Sequence, residues 1–417
     1  MHRVLSMQLG AHTGEPVRLA GWVHRRRLLK SVAFLILRDR AGLAQVVVAQ
    51  PDQRAILAAL PEESVVEVTG RVAANPAAPG GVEVVEPTIA ALGEPAEPIP
   101  FELYRPELTA ALPTLLDHAP VALRHPKQRK VFQLSAAAVA GFRAALDGLG
   151  FTEIHTPKLV ASATESGANV FALDYFGGPA YLAQSPQFYK QMMVGVFERV
   201  YEVGPAFRAE PHDTVRHLAQ YTSLDAELGF ITDHRDVMAV LREAVTGMLA
   251  GSGVEVPQQI PAVHFSEAVE LVGKALGEDL SGEPDLAPAH ERWLGEWASR
   301  EFGSELLFVT GYPMVKRPFY THPEPGRPAY SNSFDLLFRG LELATGGQRL
   351  HRYGDYLAAL AGQDVTPYES YLQTFRHGMP PHGGFAIGLE RFVAKLVGAT
   401  NIRQTALFPR DRHRLTP

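Results

Sequence analysis

Residues 207–218, FRAEPHDTVRHL, place two arginines, two histidines and two acids within twelve positions. Arg208 can meet a phosphate as a planar bidentate donor, and Glu210 can accept hydrogen bonds from a base or a sugar. Arg216 and His217 can return across a turn toward further phosphates. This spacing predicts two antiparallel strands joined by a loop that binds a nucleotide. The alternative is a surface hairpin held by salt bridges.

A second stretch, GGFAIGLERFV at 383–393, predicts a strand that runs directly into an apolar helix. Gly384 and Gly388 would let a ligand or another strand approach the backbone closely, and Glu390 and Arg391 would open the helix. A glycine-rich strand before a helix can hold a nucleotide, although the pattern has little specificity when it stands alone.

A third stretch, SFDLLFRGLELATGGQRLH at 333–351, places Asp335 and Glu342 seven positions apart in a strand-like run. In one uninterrupted strand these acids would face opposite sides of a sheet. Both can reach one metal only if a bulge or a turn intervenes, for which Gly340 is a candidate position. The alternative is that the two acids have separate roles. Arg349 adds a cation that could pair with one of these acids.

Composition limits the class of protein. The 417 residues correspond to about two or three domains. The chain has no cysteine, which excludes disulfides and thiolate metal sites and leaves oxygen and nitrogen ligands, a set that suits magnesium. No apolar run is long enough for a membrane span, and the amino terminus lacks an export pattern. We therefore expect a cytoplasmic protein with no membrane contact.

The first part of the chain reads as five short strands between residues 17 and 92, which predicts a small barrel of the OB-fold type. Six Arg or Lys residues lie between Trp22 and Arg40, with Phe34 among them. Cations for phosphates and an aromatic ring for stacking are typical of proteins that bind single-stranded nucleic acid. The alternative is a solvated charged face with Phe34 in the core. A proline-rich stretch follows, and then a helix is predicted from about residue 127 to Gly150.

Seven stretches together resemble the class II aminoacyl-tRNA synthetases, specifically the archaeal-type aspartyl-tRNA synthetases: HTPKLVASATESG, QSPQFYKQ, FRAE, RHL, GGQR, GLER and LFPRDRHRLTP. The resemblance implies an α+β protein with an OB-fold anticodon-binding domain (1–95), a hinge (96–125) and a catalytic domain (126–417). The catalytic domain would be an antiparallel sheet flanked by helices. A homodimer is also implied, with Pro157 in the motif that builds its interface.

The resemblance further implies L-aspartate as the amino acid. In this family the lysine that ends QSPQFYK recognises the side-chain carboxylate, and asparaginyl relatives lack it. Lys190 would play this part here, with Arg349 as its partner. The remaining residues expected to bind aspartate are Glu165 and Gln187 on the ammonium side, Arg208 at the α-carboxylate, and Thr345.

ATP and Mg²⁺ are the other expected ligands at this site. Arg208 and Arg391 would be the catalytic residues, because positioning and charge neutralisation dominate this type of chemistry. Glu342 and Thr345 would hold the metal, with Asp335 as a second acid nearby. Archaeal relatives usually have serine at the position of Thr345. The residues expected to bind ATP are Arg208, Ala209, Glu210, Arg216, His217, Leu218, Glu342, Gly388, Leu389, Glu390 and Arg391.

For the tRNA, the resemblance places Arg25, Phe34 and Gln45 among the anticodon contacts. The anticodons for aspartate and asparagine differ only in their third base, C or U. In this family tryptophan and lysine at two positions accompany strict specificity, and histidine and proline accompany relaxed enzymes. His24 and Pro79 stand there, so we expect aspartylation of both tRNA(Asp) and tRNA(Asn). The alternatives are an enzyme restricted to tRNA(Asp) and a synthetase-like protein that binds RNA or forms an adenylate without charging tRNA.

Overall fold

The computed structural model describes residues 2–161, 170–209 and 211–417. The chain divides into two compact units, Met1–Gln128 and Arg129–Pro417, and each is described by itself. Within the described ranges, the helices are too short or too polar to cross a membrane.

The first unit contains a closed barrel of five strands in the order β1-β2-β3-β5-β4. The fold prediction for this part of the chain is therefore confirmed. A helix between β3 and β4, which the strand pattern did not indicate, packs on the barrel and buries Leu57 in its core. The elements are β1 (Pro16–Leu28), β2 (Ala33–Arg38), β3 (Leu43–Val48), α1 (Pro51–Ala59), β4 (Val65–Ala74) and β5 (Val82–Ala91), with 3-10 turns at Ser6–His12 and Pro79–Gly81.

The barrel forms because alternate residues of each strand are apolar. Leu19, Leu35, Val46 and Val84 are fully buried in its interior, while their strand neighbours face outward. The strand β1 approaches β2 so closely at Gly21 that a Cβ atom there would lie 2.2 Å from the carbonyl oxygen of Arg38. This contact explains why a glycine occupies the position.

The segment after the barrel has its own small core. Residues 93–111 lack helices and strands, and two short helices follow, α2 (Leu112–Asp117) and α3 (Ala119–Ala122). Phe101, Leu103 and Ala122 are buried together there. The expected hinge therefore carries ordered packing within the first unit, and its role as a hinge stays a prediction.

The second unit is built on an eight-stranded sheet in the order β12-β13-β16-β17-β18-β11-β10-β6. Its pairings are antiparallel except at the two ends, where β12 pairs with β13 and β6 pairs with β10 in parallel. The strands are β6 (Thr152–Glu153), β7 (Leu159–Val160), β8 (Ala172–Tyr175), β9 (Gly178–Leu182), β10 (Arg199–Phe207), β11 (Gln220–Gly229), β12 (Ala262–His264), β13 (Leu306–Thr310), β14 (Pro323–Glu324), β15 (Arg327–Ser331), β16 (Ser333–Phe338), β17 (Leu341–Gln348) and β18 (His382–Gly388).

Helices flank this sheet, as the sequence predicts. The core between them includes Phe142, Leu241, Phe334 and Phe392, all fully buried. Two smaller sheets, β7-β9-β8 and β14-β15, lie outside the main one. The helices are α4 (Pro126–Gly148), α5 (Gln187–Phe197), α6 (His234–Met248), α7 (Phe265–Leu276), α8 (Pro288–Phe302), α9 (Tyr353–Ala359), α10 (Glu369–Phe375) and α11 (Leu389–Val397), with 3-10 turns at Met314–Lys316, Thr366–Tyr368 and Ile402–Thr405.

Candidate active site

A buried cluster of two cations and two carboxylates lies where α5 meets the sheet. The side chain of Lys190 is 1% exposed, and its ammonium group donates to Asp225 Oδ1 and to the carbonyl oxygen of Phe385, both at 3.0 Å. The same nitrogen is 3.4 Å from Glu227 Oε2. An ammonium group buried this deeply needs such partners, because burying an unpaired charge in the interior costs on the order of several kcal/mol of folding free energy.

Arg349 enters the same cluster from the end of β17. Its Nε donates to Glu227 Oε1 at 2.9 Å, and its Nη2 donates to the carbonyl oxygen of Gly384 at 3.0 Å. Glu227 thus lies between the two predicted aspartate-binding cations. Burial raises the pKa of its carboxyl group, but Arg349 and Lys190 outweigh burial and hold the pKa below its usual value. A Cβ at Gly384 would lie 2.0 Å from Glu227 Oε2, so this arrangement requires glycine there.

Uncharged side chains form a hydrogen-bond network next to this cluster. The amide nitrogen of Gln191 donates to His382 Nε2 at 3.0 Å and to the hydroxyl of Tyr356 at 3.2 Å. The amide oxygen of Gln191 accepts from Gln187 and from Tyr371, both at 3.0 Å. His382 donates from Nδ1 to the carbonyl oxygen of Pro380, and burial lowers its pKa to about 4. Gln187, which was predicted to bind the ammonium group of aspartate, is therefore held in place by this hydrogen-bond network.

The loop between β10 and β11 begins a second, more open site. Phe207 pairs with Gln220 across two antiparallel strands, which confirms the hairpin predicted from residues 207–218. Arg208 lies over the ring of Tyr221, with its guanidinium carbon 5.5 Å from the ring centroid. Arg216 donates to Glu291 Oε2 at 3.1 Å. Glu210 in this loop and Glu165 in the preceding segment lie outside the described residues.

A cavity of about 170 Å³, the nucleotide cleft, brings together most of the residues predicted to bind ATP. Ala209 and Leu389 do not line the cleft, and Leu389 belongs to the hydrophobic core. Glu390 lies in its wall, but both oxygens of its carboxylate accept from the backbone N–H of Thr222, at 3.1 and 3.0 Å. The predicted residues that line the cleft are Arg208, Arg216, His217, Leu218, Glu342, Thr345, Gly388, Glu390 and Arg391.

The predicted metal ligands lie on a hairpin at one side of this cleft. The chain turns at Arg339 and Gly340, so Asp335 on β16 and Glu342 on β17 belong to two neighbouring strands, and the pairing register shifts between Leu336 and Leu337. Thr345 is the register partner of Asp335, and its hydroxyl donates to Glu342 Oε1 at 3.4 Å. The turn that the spacing of the two acids demanded is therefore present.

Asp335 is less available as a ligand than Glu342. Arg317 donates to its Oδ1 at 3.0 Å, and burial, opposed by Arg317, raises the pKa of Asp335 to about 6. Glu342 is partly exposed and accepts from Arg391 at 3.3 Å. Three or more acidic or histidine side chains do not converge on one point anywhere in the described part of the chain. Two oxygen donors, Glu342 and Thr345, nevertheless fit Mg²⁺, which commonly keeps several waters beside one or two protein ligands.

The outer face of the barrel carries the predicted tRNA contacts. Arg25 on β1 pairs in register with Ile36 on β2, and Ile36 pairs with Gln45 on β3. Phe34 lies two residues before Ile36 on β2 and therefore faces the same side of the sheet. Phe34 is half-buried and stands outside the core of the barrel, so the alternative that placed it in the core is wrong. Gln45 donates to Glu83 Oε2 at 2.8 Å. The face thus combines cations, an aromatic ring and amide groups.

Comparison with known proteins identifies the chain. Residues 112–412 match the family described as tRNA synthetases class II (D, K and N), and residues 17–92 match the OB-fold nucleic acid binding domain. The chain belongs to the class II tRNA synthetases. The aspartate–tRNA(Asp/Asn) ligase of Thermus thermophilus is 48% identical over 100% of both chains, and that of Aeropyrum pernix is 42% identical over 97% of this chain and 96% of its own.

Solved structures of synthetases agree with this assignment. The asparaginyl-tRNA synthetase of Pyrococcus horikoshii, complexed with asparaginyl-adenylate, is similar with a TM-score of 0.91, 32% identity and complete coverage of both chains. A putative aspartyl-tRNA synthetase from Leishmania major is similar with a TM-score of 0.90 and 28% identity, over 100% of this chain and 95% of its own. The resemblance predicted from the sequence motifs is confirmed.

Sequence reasoning missed three acids that organise this synthetase site. Asp225 and Glu227 alternate with buried Leu224 and Ala226 along β11. Two acids on one face of an apolar strand could have indicated from the sequence that they belong to the site. Glu291 gave no such signal. It lies on α8, and its Oε2 accepts from Arg216 and from the backbone N–H of Glu342, at 3.1 and 3.2 Å. Burial, and next the nearby Glu342, raise its pKa.

The two residues expected to decide tRNA specificity in this synthetase occupy different environments. Pro79 is exposed and begins the turn between β4 and β5. His24 is buried, because a bulge between Val23 and Arg25 turns it inward. Its Nδ1 accepts from Arg38 at 3.1 Å, and Arg38 forms a buried bidentate pair with Glu63. Burial, and next Arg38, lower the pKa of His24 to about 4.

Proposed function

We propose that the chain is an aspartate–tRNA ligase that activates L-aspartate with ATP and transfers it to tRNA(Asp) and tRNA(Asn). The observation that carries this proposal is the buried cluster of Lys190, Arg349, Asp225 and Glu227 beside the nucleotide cleft. Gly384 and Phe385 of β18 accept from the two cations, while the next residues of the same strand, 386–388, line the cleft. An amino acid and a nucleotide bound there would meet at adjacent positions of one strand.

The two cations of the cluster favour aspartate over asparagine. Lys190 and Arg349 offer only hydrogen-bond donors, which suit the two oxygens of a carboxylate. The amide nitrogen of asparagine would face those donors with hydrogens of its own. A site built for one hydrogen-bonding pattern can reject the wrong analogue by a factor of about 10⁴, because its buried polar groups are left unpaired.

The chemistry requires little covalent work from the protein. An oxygen of the aspartate α-carboxylate attacks the α-phosphorus of ATP and displaces pyrophosphate. A ribose hydroxyl at the 3′ end of the tRNA then attacks the aspartyl carbonyl carbon of the adenylate, and AMP leaves as the ester forms. The attacking carboxylate is already ionised, so no general base is needed for the first step. Arg208 and Arg391 orient the phosphates and neutralise their charge. Glu342 and Thr345 would hold Mg²⁺, which supplies further charge neutralisation when it is bound.

The outer face of the barrel, with Arg25, Phe34 and Gln45, is proposed to contact the anticodon. Support for relaxed specificity comes from His24 and Pro79 and from the relatives, whose names include both tRNAs. We further propose that the enzyme is a cytoplasmic homodimer, as expected from its motifs. Aspartyl-tRNA(Asn) would then need a separate amidotransferase to become asparaginyl-tRNA.

Two assays with the full-length protein test this function. Aspartate-dependent exchange between ATP and pyrophosphate is expected, with exchange on asparagine no higher than about a ten-thousandth of that rate, the discrimination argued above. Purified tRNA(Asp) and tRNA(Asn) are then charged side by side, and similar kcat/KM values are expected. A value for tRNA(Asn) lower by about a thousandfold, some 4 kcal/mol, would leave the enzyme restricted to tRNA(Asp). Exchange without charging of either tRNA would favour an adenylate-forming protein.

A substitution on the barrel separates tRNA binding from activation. Phe34→Ala is expected to reduce kcat/KM for tRNA by about tenfold, since stacking on one aromatic ring contributes roughly 1 to 3 kcal/mol. Pyrophosphate exchange should stay unchanged. Ile56→Ala, which removes a partly exposed apolar side chain from α1 in the same unit, is the matched control.

A further inference from the structure

A second cavity, which we call the basic cavity, adjoins the nucleotide cleft and has a volume of about 180 Å³. The two share Arg216, Arg391 and Ile402 in their linings. The rest of the basic cavity comes from α8, from the turn into β17 and from the end of α11, through residues that include Arg292 and Lys395. No sequence motif predicted a function for α8 or for these two residues.

The basic cavity is lined by four cations: Arg216, Arg292, Arg391 and Lys395. Among the described residues that line it, none is acidic. Arg292 is exposed and forms no hydrogen bond or ion pair with any residue in the described ranges. Four like charges around one small space repel one another unless an anion lies between them.

Lys395 shows the effect of this crowding. Its ammonium group donates to the carbonyl oxygen of Arg339 at 3.0 Å and forms no ion pair with an acidic side chain in the described ranges. Burial lowers the pKa of Lys395, and the neighbouring cations Arg216 and Arg292 lower it further, while Glu291 opposes them. Glu291 is itself occupied by Arg216 and by the backbone of Glu342. The positive charge of the cavity is therefore only partly compensated.

We propose that the basic cavity receives inorganic pyrophosphate as it leaves the nucleotide cleft. This inference rests on the proposed function. As the aspartate carboxylate oxygen bonds to the α-phosphorus, the bond from that phosphorus to the bridging oxygen breaks, and pyrophosphate departs with the electron pair. No proton is transferred. Arg216 and Arg391 face both spaces, so they can stay in contact with the phosphates while Arg292 and Lys395 supply new partners.

The shared wall favours pyrophosphate over a phosphate of the tRNA backbone. A leaving group formed in the cleft reaches the basic cavity by passing two arginines that line both spaces. A small polyphosphate carries enough charge to engage several cations at once, and charge-assisted hydrogen bonds to phosphate are about twice as strong as neutral ones. A backbone phosphate of tRNA presents a single negative charge.

Arg292→Ala tests the proposal in the full-length enzyme. The KM for pyrophosphate in the exchange reaction is expected to rise by about tenfold, the loss of one charge-assisted contact. The KM values for ATP and aspartate should change by less than about twofold, and Arg292→Lys should restore part of the pyrophosphate affinity. Arg300→Ala is the matched control, because Arg300 lies exposed on the same helix and pairs with Glu301.

Three outcomes would overturn the assignment. An equal rise in the KM for ATP would make Arg292 part of the nucleotide site. Unchanged values for both ligands would leave the cavity without a role in pyrophosphate binding, and a rise confined to the KM for tRNA would assign the cavity to a backbone phosphate. Calorimetric titration of wild-type and Arg292→Ala proteins with pyrophosphate alone tests the cavity without catalysis. If aspartate-dependent exchange is absent from the wild type, the proposed function fails separately.

Discussion

The buried cluster of Lys190, Arg349, Asp225 and Glu227, which we propose as the amino-acid pocket, and the nucleotide cleft contain neighbouring residues of the same strands, yet they hold charge in opposite ways. In the pocket, Lys190 and Glu227 are at most 1% exposed. In the cleft, the side chains of Arg216, Arg391 and Glu342 are 32%, 30% and 38% exposed. The pocket is therefore fully paired before any ligand arrives, whereas the cleft keeps its charges within reach of solvent.

The difference fits what each site is proposed to bind. A small amino acid is selected by a few hydrogen bonds, and selection is sharp when the groups are buried and fixed. A polyphosphate with its metal carries more charge and must also leave, so partly exposed cations on a loop and at strand ends are suitable. Substitutions in the pocket should then cost more free energy than substitutions in the cleft, and they should affect the amino acid alone.

Lys190→Leu should have the largest effect. It leaves Asp225 and Glu227 with one cation fewer in a buried cluster, which costs roughly 3 to 5 kcal/mol. Aspartate-dependent pyrophosphate exchange should fall by at least about a thousandfold, while equilibrium binding of ATP changes by less than about threefold. Thermal unfolding of the same variant measures how much of the cost appears as lost stability.

Lys274→Leu, at an exposed position of α7, is the control for removing a lysine. Equal losses of aspartate activation and ATP binding would place Lys190 outside the pocket. If the variant unfolds below the assay temperature, its lowered melting temperature still supports the comparison, because a large loss of stability is expected when one partner of a buried ion pair is removed.

His382, in the uncharged hydrogen-bond network next to the pocket, should make the stability of the protein depend on pH. The pKa of His382 is lowered to about 4, against about 6.5 in the unfolded chain. Between pH 4 and pH 6.5 His382 is protonated in the unfolded state but not in the folded state. The contribution of His382 to the free energy of unfolding is therefore fully present above pH 6.5 and is lost as the pH falls toward 4. The loss attributable to His382 is about 3 kcal/mol.

Urea unfolding of the full chain at several pH values, for the wild type and for His382→Gln, measures this effect. The variant should be less stable at pH 7 and should lose less stability on acidification. His24 has a lowered pKa of the same sign but remains in both proteins, so the difference between the curves belongs to His382. Parallel curves would show that His382 takes up its proton in the folded state as readily as in the unfolded one.

Arg349→Lys tests whether geometry matters in the pocket in addition to charge. Arg349 uses Nε and Nη2 on two different acceptors, and one ammonium group cannot reproduce that fork. We expect a rise in the KM for aspartate of about thirtyfold, near 2 kcal/mol, with the KM for ATP unchanged. Arg300→Lys on the surface of α8 is the control. A change below about threefold would mean that charge alone suffices.

The barrel strands and the hairpin at 207–218 could be predicted from the sequence, because alternation of apolar residues and the glycines at turns are local signals, whereas the antiparallel sheet of the second unit was implied by the family resemblance. The hairpin at 207–218, the strand before α11 and the turn at Gly340 all follow from these local signals. The helix α1 could not, since Leu57 is the one buried residue among its nine and its other apolar residues do not form a buried face. The inward turn of His24 depends on a bulge that no local residue pattern announced.

The pairing partners inside the site were the least predictable part. Lys190 and Arg349 carry recognisable motifs, but their joint partner Glu227 comes from a strand whose acids had no motif of their own. Glu291 lies 75 positions from Arg216 in sequence, so only the tertiary fold brings them together. Motifs therefore indicated the residues that the fold brings together in the site better than the residues that hold them in place. Their roles toward ligands stay predictions that the substitutions above address.

The smallest expected effect belongs to Glu291→Gln, which tests the cleft. Glutamine keeps the shape and one oxygen acceptor but removes the charge that Arg216 meets. Because Arg216 is about a third exposed, solvent weakens this ion pair, and the cost should be about 1 kcal/mol. The KM for ATP should rise by about fivefold, and the KM for aspartate should not change. Glu296→Gln, at an exposed position of α8, is the matched control.

The direction of that change decides what Glu291 does. Its carboxylate could compete with phosphate for Arg216, and its removal would then tighten ATP binding. We expect the opposite, because the same oxygen also accepts from the backbone N–H of Glu342 and so joins the loop to the strand that carries the proposed metal ligand. Loss of this link lets both elements move before the nucleotide binds, and ordering them costs affinity. A lower KM for ATP in Glu291→Gln would show that competition outweighs this positioning.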